Sequence, residues 1–280
     1  MNAPRLLVDG LAFGEGPRWH DGALHLSDMH AHRVIRVEAD GTTTTVLQHD
    51  APVSGIGWLP DGRLQTVAMD GFILRDGEVA ADVRALAPFG INDMVVHPEG
   101  WAYVGQFGYD RDAPGRPEIR SSALLRVDLD GSVHEAAPDL LVANGMAITP
   151  DGSTLVVAES AGRRLTSFAI GAGGTLTDRQ VYAELPDGGA PDGMCIDAEG
   201  AWVAAVTLGQ FIRLLPGGEV TDRVPVADGR HAIACVLGGP DRRTLFMITA
   251  TTFGEADASR AALAGRVDAI DVEIPGVGWP

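Results

Sequence analysis

The chain has 280 residues, of which 45% are hydrophobic, and it carries a formal net charge of −17. The apolar fraction is ordinary for a globular protein, whereas the excess of acidic residues disfavours nucleic acid and anionic membrane surfaces as partners, since both need a basic face. No segment is long and apolar enough to cross a membrane, and residues 1–10 lack the apolar region of a signal peptide, so we expect a cytoplasmic protein.

Six segments along the chain repeat one pattern: a short strand, a turn built from Pro, Asp and Gly, and a second strand. In the clearest copy, Met146 and Ile148 alternate with small or polar residues, Pro150 opens the turn, and residues 155–158 form an apolar run. The copies lie at 15–26, 54–64, 92–104, 143–160, 192–203 and 234–247. Their spacing of roughly 40 to 50 residues is typical of propellers and solenoids. Because each copy is a hairpin, four-stranded propeller blades fit better than helical repeats.

The pattern predicts an all-β fold: one six-bladed β-propeller with four-stranded antiparallel blades, occupying residues 1–280 as a single domain. In a ring, the strong final strand at 266–274 should pair with the short strand at 5–8, because closure removes exposed sheet edges. Two segments do not fit the repeat. Residues 109–119 form a polar insertion in blade three, of the kind that is usually functional or mobile, and residues 255–264 are either a short helix or a loop.

One position in the repeat carries polar side chains in most copies. Counting six residues back from the turn residue, and aligning the shorter first copy on its Trp, gives the series Glu15, Ser54, Asn92, Asn144, Asp192 and Ala234. Blade symmetry would point these side chains toward one end of the central channel. Two carboxylates and two amides there would form an oxygen-rich site, which suits a hard cation such as Ca²⁺. Alternatively, the Glu-Gly, Asn-Gly and Asp-Gly pairs are ordinary turn dipeptides whose side chains cap backbone groups.

The chain also resembles a known family. The segments that carry the resemblance are Glu-Gly-Pro at 15–17, Asn-Asp at 92–93, Asn-Gly-Met-Ala-Ile-Thr-Pro-Asp-Gly at 144–152 and Pro-Asp-Gly at 191–193. In this order they are similar to those of the SMP-30/gluconolactonase/luciferin-regenerating-enzyme family, over nearly the whole chain. The resemblance implies a six-bladed propeller with a divalent metal on its axis, often calcium, held by Glu15, Asn144 and Asp192. It also implies that Asn92 faces the metal or the substrate.

Two departures from the family concern the substrate. Sugar-lactonase members carry an Arg two residues before the Asn-Asp pair, where this chain has Gly90. They also use a Glu just before the next strand, and the nearest match is Glu118, which lies inside the insertion at 109–119. The resemblance therefore implies Asn92 and Glu118 as substrate-binding residues, but for a substrate with fewer hydroxyl groups than an aldonolactone.

These observations predict a hydrolase that opens a lactone, a small-molecule substrate, with the help of one divalent metal ion. We expect Ca²⁺, with Mg²⁺, Mn²⁺ or Zn²⁺ as alternatives. We expect Asp192 to be the general base, an assignment that rests partly on the resemblance; His231 and Glu118 are the next candidates. Two other functions stay open, since propellers host many. One is a metal-stabilised propeller that binds a small molecule or a protein without hydrolysis, and the other is a non-hydrolytic relative similar to strictosidine synthase.

Four further residues have two interpretations each. Asp28 and Glu159 follow equivalent strands, so they either support the site residues or lie on the surface at strand ends. Cys195 and Cys235 lie in apolar strand contexts, which favours buried thiols, although a disulfide between them is also compatible with the sequence.

Overall fold

The structure, a computed structural model, describes residues 3–111, 113, 118–253 and 255–279. These residues form 24 β-strands in six four-stranded antiparallel sheets, which are the blades of a propeller. The predicted fold class is therefore confirmed. Each of the first five blades uses four consecutive strands that pair in chain order.

The first three blades occupy the N-terminal half of the chain. Blade one contains β2 (Gly14–His20), β3 (Ala23–Asp28), β4 (Arg33–Val37) and β5 (Thr43–Gln48). Blade two contains β6 (Val53–Trp58), β7 (Leu64–Ala68), β8 (Phe72–Arg75) and β9 (Glu78–Asp82). Blade three contains β10 (Ile91–Val96), β11 (Ala102–Gln106), β12 (Ser122–Val127) and β13 (Val133–Leu140).

The remaining blades have the same arrangement, except that the last one includes the N-terminal strand of the chain. Blade four contains β14 (Ala143–Ile148), β15 (Thr154–Glu159), β16 (Arg164–Ile170) and β17 (Leu176–Glu184). Blade five contains β18 (Pro191–Ile196), β19 (Ala201–Ala205), β20 (Gln210–Leu214) and β21 (Val220–Pro225). Blade six contains β22 (His231–Gly238), β23 (Thr244–Ala250), β24 (Gly265–Asp271) and the N-terminal strand β1 (Arg5–Leu11).

The ring closes where the two ends of the chain meet. Strand β1 pairs antiparallel with β24, with Arg5 opposite Ala269 and Leu11 opposite Gly265. The predicted closure is thus confirmed, and the N-terminal strand supplies the outermost strand of the last blade. Blades one and six also share a core, in which Leu26 and Ile35 pack with residues such as Ile248. Burying each such side chain contributes about 1.5 to 3 kcal/mol.

The first strand of each blade faces the axis. These six inner strands, β2, β6, β10, β14, β18 and β22, each contact the inner strands of both neighbouring blades. They therefore surround the central channel, and equivalent positions on them lie at the same depth along it.

Three smaller expectations can be compared with the structure. The segment 255–264 contains a helix, α1 (Ala256–Ala262), which confirms the helical alternative. Cys195 and Cys235 are free thiols, both buried, so the expectation of buried thiols is confirmed and a disulfide between them is not formed. Residues 112 and 114–117 of the polar insertion lie outside the described residues. In the described part of the chain, no helix is both long and apolar enough to cross a lipid bilayer.

Candidate functional site

The inner strands place the predicted polar residues at one end of the channel. Glu15, Ser54, Asn92, Asn144 and Asp192 are each the second residue of an inner strand. Next to each of them, the pairing with the next strand of the blade shifts by one residue. Such bulges re-aim side chains and are common next to active sites. The same local irregularity thus occurs at the same position in five blades.

The glycines that follow these residues are explained by close packing of inner strands. A Cβ atom on Gly145 would lie 2.6 Å from the backbone oxygen of Asp192, and one on Gly193 would lie 2.3 Å from the Cβ atom of Ala234. Neither position has room for a side chain. The Asn-Gly and Asp-Gly pairs therefore lie inside strands where the blades meet, and their interpretation as turn dipeptides is wrong.

A cavity of about 310 Å³ opens at this end of the channel. Four of the six predicted positions line it, namely Glu15, Asn92, Asn144 and Asp192; we call these four residues the polar floor. Concave sites with a few converging polar groups are the usual places where small molecules bind. Ser54 and Ala234, the other two positions in the series, are buried but do not line the cavity.

Hydrogen bonds connect the polar floor across blades three, four and five. The Asn144 amide donates to Oδ1 of Asp192 and, at 3.2 Å, to Oγ of Ser160. Ser160 in turn donates to the carbonyl of Pro191 at 2.7 Å. The Asn92 amide donates to the carbonyl of Ala143 at 3.5 Å. Among the described residues, nothing donates a hydrogen bond to the amide oxygen of Asn92 or Asn144, so both oxygens remain free to bind a ligand.

The two carboxylates of the floor are buried without a counter-charge in contact. Glu15 is 8% exposed and Asp192 is 4% exposed. Burial raises the pKa of Glu15 well above its usual value, and the charges of Asp192 and Asp93 raise it further. Burial, followed by the charge of Asp93, also raises the pKa of Asp192. Within the described part of the chain, neither carboxylate forms an ion pair with Lys, Arg or His, so a bound cation would relieve a real electrostatic cost.

A buried ion pair beside the floor was not anticipated from the sequence. Arg18 donates to Oδ1 of Asp93 at 3.1 Å and to the carbonyl of Met94 at 2.5 Å, and both charged side chains are almost fully buried. The pair joins blade one to blade three next to Asn92. One signal was present: Arg18 is the only Lys or Arg in any of the six inner strands.

The donor atoms of the floor fit a hard divalent cation. The available groups are two carboxylates and two amide oxygens, and oxygen-only ligand sets favour Ca²⁺, Mg²⁺ or Mn²⁺. In the described residues, no group of three or more His, Cys, Asp and Glu side chains is placed to hold a metal. A metal here would therefore depend on the amides as well as on the two carboxylates.

Comparison with known proteins places the chain in a family. Residues 13–251 match the SMP-30/gluconolactonase/LRE-like region family. The chain belongs to this family. It is 28% identical to the 6-deoxy-6-sulfogluconolactonase of Pseudomonas putida, over 95% of this chain and 94% of that protein. It is also 28% identical to a pentonolactonase of Haloferax volcanii, over 99% and 96% of the two chains.

A solved structure shares the fold of this SMP-30/gluconolactonase-family chain. It is that of a calcium-binding protein, regucalcin, from Agrobacterium tumefaciens, with a TM-score of 0.80 and 23% identity. The similarity covers 99% of this chain and 96% of that one.

Two positions that concern the expected substrate, Glu118 and Gly90, do not line the cavity. Glu118 has a side chain that is 78% exposed, forms an ion pair with Arg120 at 3.2 Å, and does not line the cavity. Its substrate-binding role stays a prediction. Gly90 has a φ of 86°, and a Cβ atom there would lie 3.0 Å from the carbonyl oxygen of Met69. An Arg at this position would be strained, so the backbone of this chain favours the observed glycine.

His231, the alternative base, also lies apart from the floor. It begins β22, and its ring centroid is 5.9 Å from that of Phe253, but it does not line the cavity. Its role as the base stays a prediction. No contact among the described residues connects His231 to Glu15 or Asp192.

Two acidic residues behind the floor have supporting contacts. Asp28 accepts a hydrogen bond from the backbone N–H of Phe13 at 3.0 Å, and Glu159 accepts one from the N–H of Leu141 at 2.9 Å. These backbone groups lie just before Glu15 and Asn144, respectively. Both carboxylates are buried, so the interpretation as surface residues is wrong, whereas their support of the site residues stays a prediction.

Proposed function

We propose that the chain is a metal-dependent hydrolase that opens a lactone ring at the polar floor. The observation that carries the proposal is the meeting of two buried carboxylates, Glu15 and Asp192, with two amides at the bottom of one cavity. Family membership supports the reaction class, as do the two relatives that are named as lactonases.

Glu15, Asn144 and Asp192 would hold the cation. Ca²⁺ is the expected ion, because it accepts mixed carboxylate and carbonyl oxygen ligands in flexible geometry. When bound, a divalent cation supplies a Lewis acid that polarises the lactone carbonyl and favours the ionised form of the neighbouring carboxylates.

Asp192 is the proposed general base. Its Oδ1 accepts the amide hydrogen of Asn144, which fixes the carboxylate, while Oδ2 has no partner among the described residues. Oδ2 would take a proton from the attacking water as the water oxygen bonds to the carbonyl carbon. The ring C–O bond then breaks, and the protonated Asp192 returns its proton to the departing ring oxygen. The product is the open hydroxy acid.

The amides orient the reactants and do not exchange protons. Asn92 presents an amide to the cavity from blade three and cannot act as an acid or a base. In the proposed reaction it holds the lactone or the water in position. Asn144 holds Asp192 through its amide hydrogen and has a free oxygen for the cation.

Hydrolysis is tested with a panel of lactones and a pH indicator, since ring opening releases acid. The wild type should open at least one lactone, lose that activity after chelation, and regain it on addition of Ca²⁺. If no lactone in a panel of aliphatic, aromatic and sugar lactones is opened with any of Ca²⁺, Mg²⁺, Mn²⁺ or Zn²⁺, the proposal is wrong and the propeller is a binding protein.

Metal binding should depend on the two carboxylates of the floor. Replacing Asp192 with Ala should weaken Ca²⁺ binding by at least about 100-fold, since loss of a partner outside the ligand shell already costs about 10- to 100-fold. Isothermal titration and elemental analysis measure this. Glu219→Gln, which removes an exposed charge from the turn before β21, is the control and should bind as the wild type does. Equal, tight binding by the Asp192→Ala protein would remove Asp192 from the metal site.

Replacing Asn92 with Ala should act mainly on KM. If the amide only positions the substrate, its loss weakens binding in the ground state and the transition state together. We expect KM to rise about 10-fold with kcat changed less than about threefold, in steady-state assays on the best lactone of the panel. A fall in kcat with an unchanged KM would show instead that the Asn92 amide acts on the transition state.

A further inference from the structure

Above the polar floor, the cavity is walled by apolar side chains. All six lie in the connections between strands, and they are Phe13, Met29, Met69, Phe107, Val142 and Phe253; we call these six residues the apolar wall. The cavity therefore has two chemically distinct parts, an acidic and amidic end on the axis and an apolar space that leads out from it.

The few polar groups on the sides of the cavity are largely engaged within the protein. The Ser160 hydroxyl donates to a carbonyl and accepts from an amide. Thr207 Oγ1 accepts from the backbone N–H of Ala190 at 2.9 Å. The Arg111 guanidinium lies 4.5 Å from the centre of the Phe107 ring, and its Nη1 lies 3.8 Å from Sδ of Met69. Apart from Tyr109 and the N–H groups of Arg111, the described residues that line the cavity offer few free partners for the hydroxyl groups of a substrate.

This shortage of free partners argues against a polyhydroxylated ring. A hydroxyl group that leaves water for an apolar wall loses its hydrogen bonds, which costs more than the contact returns. Sites that select hydroxylated substrates have matching polar groups for them. The apolar wall has none, so each extra hydroxyl group would weaken binding.

The mouth of the cavity favours an apolar substituent directly. Phe253 is 56% exposed and Ile119 is 48% exposed, and both border the cavity. Large apolar side chains that meet at the rim of a pocket mark binding surfaces, because a ligand that covers them removes them from water.

We infer that the substrate is a lactone whose ring carries an alkyl chain, and that the chain lies along the apolar wall while the carbonyl faces the polar floor. The claim that the ligand is a lactone to be hydrolysed rests on the proposed function, whereas the preference for an alkyl chain rests on the apolar wall alone. The two claims can therefore fail separately.

Three five-membered lactones test the preference. They are γ-valerolactone, with a methyl substituent, γ-octalactone, with a butyl substituent, and D-galactono-γ-lactone, which is polyhydroxylated. Each buried methylene is worth roughly fourfold, so kcat/KM should be about 10- to 60-fold higher for the octalactone than for the valerolactone. The sugar lactone should be the poorest substrate. If the sugar lactone is opened more efficiently than the octalactone, the inference is wrong while lactone hydrolysis stands.

A matched pair of variants connects the preference to the wall. Phe253→Ser removes an exposed wall residue and should reduce the ratio between octalactone and valerolactone at least threefold. Phe89→Ser removes a phenylalanine that is 45% exposed and does not border this cavity, and it should leave the ratio unchanged. An unchanged ratio in the Phe253→Ser protein, or equal losses in both variants, would contradict the proposed path of the chain.

Binding of unreactive lactams separates failure of the inference from failure of the hydrolysis proposal. If no lactone is opened, calorimetry with γ-lactams that carry the same butyl and methyl substituents still measures how much an alkyl chain adds to the binding affinity. Tighter binding of the butyl lactam by about 10-fold or more would support the inference even in a protein that does not hydrolyse lactones. Equal affinities, or no binding of either lactam, would overturn it.

Discussion

Replacing Asp192 with Asn should lower kcat on the best lactone by roughly 10² to 10⁴, the usual cost of losing a general base. Asn has the same shape and keeps one oxygen for the cation, but it cannot accept the proton of the attacking water. The effect should appear in kcat, because the proton moves in the chemical step and not on binding. Steady-state kinetics at saturating Ca²⁺ measures it, and metal titration of the same protein checks that the cation is still bound.

The control for this variant is Asp178→Asn. Asp178 is an exposed residue of β17 with a φ of 50°, a conformation that Asn adopts readily, so the substitution changes charge without strain. Its kcat should equal that of the wild type. Should the Asp192→Asn protein keep its metal and a near-normal kcat, the base lies elsewhere. Glu15 is then the first candidate by position, since it is the other carboxylate that lines the cavity in the described residues, ahead of His231 and Glu118.

The fold was largely predictable because its signals are local and repeated. Each hairpin has its alternating strand and its Pro-Asp-Gly type of turn within a dozen or so residues, and five weak matches at one spacing reinforce the sixth. Closure of the ring followed from the apolar strand at the C-terminus and the need to pair its edge. Arg5 and Ala269 pair although they are far apart in sequence. This pairing was predictable because the repeat left few other partners for either strand.

The polar floor was predictable for the same reason. Glu15, Asn92, Asn144 and Asp192 occupy one register position, so symmetry brings them together without any knowledge of side-chain packing. Ser54 shows the limit of that argument, because it holds the equivalent position and yet does not line the cavity. Its carbonyl accepts a hydrogen bond from Ser27, so this residue serves the packing between blades one and two.

The other parts of the site have no local signal. The ion pair between Arg18 and Asp93 joins residues 75 positions apart, and the apolar wall is assembled from loops of several blades. Neither follows the repeat, because each loop is different and only the strands obey the symmetry. Glu118 illustrates the converse problem: its spacing matched a family pattern, but its side chain is exposed and pairs with Arg120.

Blades one and four share an arrangement of contacts around a buried carboxylate. The repeat places the two carboxylates at equivalent positions but does not specify their partners. In each, a carboxylate at the end of the second strand binds the backbone just before the inner strand and pairs with an Arg five residues later. The pairs are Asp28 with Arg33 and Glu159 with Arg164. Glu15 and Asn144 are the second residues of the two inner strands concerned, so in two separate blades this arrangement anchors the backbone that leads into a polar-floor residue.

Glu159 has the larger set of contacts. Its Oε1 accepts hydrogen bonds from Arg164 at 3.0 Å, Arg179 at 3.2 Å and Thr166 at 2.5 Å, and its Oε2 accepts the N–H of Leu141. Burial alone would raise the pKa of this carboxyl, but the hydrogen bonds from Arg164, Thr166 and Leu141 outweigh it and lower the pKa. The ionised form is therefore favoured by folding, and it stabilises the native state.

Replacing Glu159 with Gln should destabilise the protein by about 2 to 4 kcal/mol at pH 7, which is somewhat below the cost for fully buried ion pairs because both arginines are partly exposed. This corresponds to a Tm lower by roughly 5 to 10 °C. The control substitution Glu135→Gln, at an exposed position of β13, should change Tm by less than about 2 °C.

A carboxyl group whose pKa is lowered in the folded state stabilises the protein above its unfolded pKa, about 4.3, and loses that contribution as the pH falls through the folded pKa. The Tm difference between wild type and Glu159→Gln should therefore have its largest value at pH 7 and become smaller below about pH 4. A constant difference across that range would show that the charge of Glu159 is not what stabilises blade four.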